Sequence, residues 1–64
     1  MEIIKDNGEQ YIININNIMF CKYDSKNLYI YFEKGFIRTF RVEDFNDPNY
    51  LLTLYKELKE KINK

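Results

Sequence analysis

Histidine and tryptophan are absent from this chain, cysteine and proline occur once each, at Cys21 and Pro48, and glycine occurs only at Gly8 and Gly35. Each gap excludes something. A single cysteine forms no internal disulfide, and without histidine a structural zinc lacks its usual ligands. The same gaps leave Cys21 and Ser25 without a recognisable activating base, and two isolated glycines make no phosphate-cradling loop. Charge of one sign is also missing. Ten basic and ten acidic residues cancel to a formal net charge of zero, so no long-range field draws the whole molecule to nucleic acid or to an anionic membrane. No run approaches the roughly 18–20 apolar residues of a membrane span, and the Met1–Asp6 start has no basic region leading into an apolar stretch. These features predict a cytoplasmic protein with no membrane association, and an unpaired thiol fits a reducing compartment.

Aromatic side chains are plentiful: six tyrosines and five phenylalanines in 64 residues, concentrated between Tyr11 and Tyr55. The length allows one domain, residues 1–64, and is too short for two. A chain of this size buries only about 60% of its unfolded surface, which leaves a monomer marginal. With disulfide and zinc excluded, oligomerisation is the remaining means of adding stability.

Five strands and one helix follow from the pattern. Glu2 to Lys5 leads into Asp6-Asn7-Gly8-Glu9, where Asn-Gly supplies the positive φ of a tight hairpin turn. In the strand over about 10–15, Tyr11, Ile13 and Ile15 form the apolar face. Asn16-Asn17 interrupts the run, because asparagine competes for backbone hydrogen bonds; either a new strand starts near Ile18, or one long strand bends at a bulge. A strand over 18–23 reaches the polar turn Asp24-Ser25-Lys26-Asn27. The strand over 28–33 alternates strictly, with Leu28, Ile30 and Phe32 on one face and Tyr29, Tyr31 and Glu33 on the other. After Lys34-Gly35 comes a strand over about 36–42. Asp47-Pro48 then marks a helix start, with a carboxylate to cap free amides and a proline at the first helical position. The helix is expected over about 48–62, with Leu51, Leu54, Tyr55, Leu58 and Ile62 in one sector and Lys59, Lys61 and Lys64 at the negative end of its dipole. The fold class is α+β, a four- to five-stranded antiparallel β-meander with one C-terminal helix packed on one face.

One helix covers one face, expected to be that of Ile13, Phe20 or Cys21, Leu28, Ile30, Phe32 and Phe40. The other face would carry Tyr29, Tyr31 and Ile37, with Ile12, Met19 and Tyr23, more apolar area than a monomer usually leaves in water. Glu43, Asp44 and Asp47 are better explained as partners of the helix N-terminus than as a metal site, and Cys21 as a small buried or interface residue than as a nucleophile. No catalytic, cofactor-binding or metal-binding residue is assigned, and no small-molecule substrate; the chain reads as a non-enzyme.

Tyr29, Tyr31, Ile37, Tyr23, Arg38 and Arg41 are the candidate partner-binding residues. They predict a protein-binding module, in the form of a homodimer, whose Tyr29, Tyr31 and Ile37 face or whose edge strand engages a larger partner and regulates or blocks it. Small inhibitors of phages and mobile elements, including anti-CRISPR proteins, are similar to it in type. The alternative is a single-stranded nucleic-acid binder that stacks bases on Tyr29 and Tyr31 and holds phosphates with Lys34, Arg38 and Arg41.

The order Asn7-Gly8-Glu9, then Tyr11, Ile13, Asn14, Ile18, Leu28, Ile30, Gly35 and Val42, resembles the small flagellar-operon FlbD family over about residues 2–43. That resemblance implies an N-G-E start, a strand, a polar turn and a glycine-containing hairpin. The Tyr29-Ile30-Tyr31-Phe32 strand and the long capped helix depart from it.

Overall fold

In the computed structural model, which describes residues 1–62, the chain opens with a hairpin of β1 (Glu2–Ile4) and β2 (Gln10–Ile12). Ile3 lies opposite Tyr11, and Met1 and Ile13 extend the ladder by exchanging backbone bonds of 2.7 and 3.0 Å. The turn is closed by Gly8 N–H donating to the Lys5 carbonyl and by the Asn7 carboxamide, which accepts from the Glu9 amide and donates to its carboxylate. Asn7-Gly8-Glu9 is thus accounted for by hairpin chemistry. Gly8 and Gly35 sit at φ +93° and +90°, and a Cβ at either would meet nothing within 4 Å. The cost of a side chain there is therefore backbone strain alone, about 1–2 kcal/mol. Gly8→Ala and Gly35→Ala are each expected to lower the unfolding free energy by that amount in urea titrations; no loss would mean that the turns relax.

After Asn14 the chain leaves the extended conformation. Asn14 accepts from the Asn16 amide through its side chain and from the Asn17 amide through its carbonyl, starting a 3-10 turn at Ile15–Asn17. This turn ends the strand expected over 10–15 at Ile12 and separates β2 from β3. The single meander is therefore replaced by two sheets: the β1–β2 pair, and a three-stranded antiparallel sheet of order β3-β4-β5, with β3 at Ile18–Tyr23, β4 at Asn27–Phe32 and β5 at Ile37–Arg41. The reason is local. Asparagine carboxamides satisfy the amides that a continuing strand would have offered to a neighbour.

A bulge at Met19 shifts the β3–β4 register: Ile18 pairs with Phe32, but Phe20 pairs with Tyr31. Its effect is to change which side chains share a face. Strict alternation would align Ile18, Phe20 and Lys22; the bulge instead turns Ile18, Cys21 and Tyr23 inward and sets Phe20 beside Lys22 outside. A buried lysine is avoided.

A second 3-10 turn, Val42–Asp44, leads to α1, Tyr50–Ile62. Regular helix starts two residues after Pro48, because Asp47 uses its carboxylate on the Asn49 amide and its carbonyl on the Tyr50 amide, making a turn before the first helical residue. Leu51, Leu54 and Leu58 are buried, while Tyr55 and Ile62 flank them half-buried. Lys59 and Lys61 occupy the last turn, and Lys64 lies outside the described residues.

The inner face of the large sheet is closed by two elements rather than by the helix alone. The helix lies over β3 and β4. The hairpin covers β5, where the Tyr11 ring meets Phe40 edge-on at 5.2 Å and the Asp6 amide donates to the Asp44 carbonyl. Between these layers lie Ile3, Ile13, Ile18, Leu28, Ile30, Phe40, Phe45, Leu51, Leu54 and Leu58, each contributing about 1.5–3 kcal/mol of burial. No described helix is long and apolar enough to cross a membrane.

Candidate functional site

Among the described residues, no layer packs on the outer face of the three-stranded sheet. Register places its side chains in cross-strand rows: Phe20, Tyr31 and Ile37 in one, and Lys22, Tyr29 and Thr39 in the next. Phe20 and Tyr31 stack with centroids 4.2 Å apart and ring planes at 16°. Phe20 is 46% exposed and Ile37 58%, with Met19 at 53% on the adjoining bulge. An apolar row crossing all three strands in solvent is the feature that most needs a partner.

The second row is tied down. The Lys22 ammonium sits 4.8 Å from the Tyr29 centroid, and the Tyr29 hydroxyl donates to Asp24 and accepts from Asn27. Asp24 also accepts from the Lys26 and Asn27 amides at 3.0 and 2.8 Å, which holds Ser25 at φ 71°. These amide bonds from Asn27 and Lys26 pull the Asp24 carboxyl below its ordinary value, and the Asn7 bond and Lys5 do the same for Glu9. A folded-state pKa below the unfolded one adds stability that is complete above the ordinary carboxylate range and is lost as pH falls through the folded value. Stability is accordingly expected to decline in acid, and Asp24→Ala should flatten that decline while lowering stability at neutral pH. Urea midpoints measured from pH 7 down to pH 2 read both effects, and an unchanged acid slope would remove Asp24 from the account.

The six candidate residues do not all meet. Tyr29, Tyr31 and Ile37 share the outer face. Tyr23 belongs to the inner face, stacked on Tyr55 of α1 at 5.7 Å, so its expected place beside Tyr29 is corrected by the bulge. Arg38 is also on the inner side, with its guanidinium 5.3 Å from the Tyr11 centroid. Arg41 is on the outer face but bonded to Glu43 at 3.0 Å and Asp44 at 3.6 Å. Of the cations of the nucleic-acid reading, Arg38 therefore lies on the opposite side from the tyrosines and Arg41 is already paired with carboxylates. Ile12, 86% exposed, lies on the separate hairpin and not on this face.

Phe20 is the member that alternation left ambiguous, and Lys22 is the signal that resolves it. A lysine two residues away that must reach water places Phe20 on the same side, once a bulge absorbs Met19. As for chemistry, Cys21 is half-buried; burial raises its thiol pKa, with Lys59 opposing, so little thiolate forms near neutrality. Asp44 bridges Lys5 and Arg41, Asp47 caps the turn before α1, and no cluster of three His, Cys, Asp or Glu side chains occurs among the described residues. Comparison of the chain with protein-family models, curated proteins and solved structures finds no match.

Proposed function

We propose that this chain is a non-catalytic protein-binding module that regulates or blocks a larger protein by covering its own Phe20–Tyr31–Ile37 row with that partner. The observation that carries this is the uncovered apolar row itself, on a molecule whose charges balance. Interfaces are centred on aromatic and aliphatic anchors with few charges among them. Here a pre-stacked aromatic pair loses little freedom on binding, and Lys22 and Arg41 stand at its rim. An inhibitor from a phage or mobile element, of the anti-CRISPR type, is the form of this reading to which the sequence is similar in type.

A second copy of the chain is the competing occupant. Sedimentation velocity over a range of low concentrations separates the two: a monomer leaves the row free for a different protein, and a stable dimer lost on Phe20→Ser with Tyr31→Ser assigns it to self-association.

A further inference from the structure

We propose that the groove between the end of β2 and the start of β5 receives an extended acidic segment of the partner, added as a strand along the free edge of β5 with a carboxylate on Arg38. The inference deepens the protein-binding reading and rests on it.

The groove has a volume of about 510 Å³, and Tyr11, Ile12, Phe32, Phe36, Ile37 and Arg38 supply most of its wall. Ile12, Phe36 and Ile37 are among the most exposed large apolar side chains of the molecule. Among the described residues, Arg38 is the one charged residue lining it. Its guanidinium rests over Tyr11, whereas each of the ion pairs among the described residues is made by Lys5, Arg41 or Lys61. It is thus a cation held by an aromatic face with its donors unspent on carboxylates, and a guanidinium takes a carboxylate in a two-pronged hydrogen bond. Asn14 and Asn17, which also line the groove, add carboxamides beside it.

The backbone at this edge is equally unspent. Phe32 N–H donates to the Phe36 carbonyl at 2.8 Å and Val42 N–H to the Lys26 carbonyl at 2.9 Å. These two bonds fix the parity of the β4–β5 ladder. Arg38 and Phe40 turn their N–H and C=O groups toward β4; Ile37, Thr39 and Arg41 turn theirs away, and neither Ile37 nor Thr39 has a backbone partner outside the ladder among the described residues. An exposed edge of this kind accepts a further strand, with alternate side chains of the added segment entering the flanking pockets. The pocket here is apolar with one positive charge, so the segment that fits alternates apolar residues with an acid level with Arg38.

The test begins with a phage-displayed library of random nine-residue peptides panned against the full chain. Peptides recovered are expected to carry Asp or Glu between apolar positions, and to shift the amide resonances of residues 37–41 and 11–14. Arg38→Gln should weaken the best acidic peptide about tenfold at low salt and leave its glutamine analogue unaffected. Thr39→Pro removes an outward N–H that the ladder does not use, so it should abolish binding while the spectrum stays dispersed. The inference is overturned by recovery of nothing or of peptides without an acid, by an Arg38→Gln variant that binds as before, by shifts confined to Phe20 and Tyr31, by a homopolymeric single-stranded oligonucleotide entering the same groove, or by a dimer that hides Thr39. Capture of a native partner that depends on Phe20 and Tyr31, with no acidic peptide in the groove, sinks this inference alone; loss of that dependence sinks the protein-binding reading as well.

Discussion

Phe40→Ala is expected to lower the unfolding free energy by about 3–5 kcal/mol, and Leu58→Ala by about 2–5 kcal/mol. Both side chains are fully buried, and they sit where three layers meet: Phe40 between the sheet and the hairpin through its edge contact with Tyr11, Leu58 between the sheet and the helix. At about 0.05–0.15 kcal/mol per residue, a domain of this length has roughly 3–10 kcal/mol in total. One truncation therefore removes anything from about a fifth of the stability to all of it. Urea titrations followed by far-ultraviolet circular dichroism and tyrosine fluorescence measure the loss, tyrosine being the usable fluorophore where tryptophan is absent. Ile12→Ser, at the most exposed large apolar side chain, is the matched control and should stay within about 0.5 kcal/mol. A loss of less than about 1 kcal/mol at Phe40 would mean that the hairpin does not pack on β5.

The second large effect falls on binding rather than folding. Phe20→Ser together with Tyr31→Ser removes a stacked pair worth about 0.5–1.5 kcal/mol to the sheet, a cost the core tolerates, but it deletes the centre of the proposed interface. Truncation of such anchors typically costs 2 kcal/mol or more of binding, which is about thirtyfold in affinity at the least. The two readouts separate the roles. A structural pair would cost folding and binding alike, whereas an anchor costs binding far more.

How far the sequence alone reaches is visible in particular residues. Strict alternation from Leu28 to Phe32 identified the inner and outer faces of β4, since a period of two is unambiguous when nothing interrupts it. The helix stripe from Leu51 to Ile62 was legible for the corresponding reason at a period of 3.6. The division into two sheets was not, because Asn16-Asn17 signals an interruption without saying whether the chain resumes in the same sheet. Nor was the facing of β3: Ile18 to Cys21 is apolar on both sides, and a one-residue bulge at Met19 moves Tyr23 and Phe20 to opposite faces. Arg38 shows the same limit for the site. Its place on the inner side follows from its parity with Phe40, but only packing could reveal that the hairpin brings Tyr11 beneath it.

The central claim is that the Phe20–Tyr31–Ile37 row is the recognition surface of a protein-binding module. Its most direct test is quantitative capture from an extract of the cells that encode the chain, comparing wild type, the Phe20→Ser/Tyr31→Ser double variant and, at an exposed apolar side chain outside both the row and the groove, Ile4→Ser at equal folded concentration. The account predicts a protein enriched by wild type and by Ile4→Ser and lost with the double variant, its binding then reproduced with purified components. Enrichment of the same proteins by all three chains would contradict it.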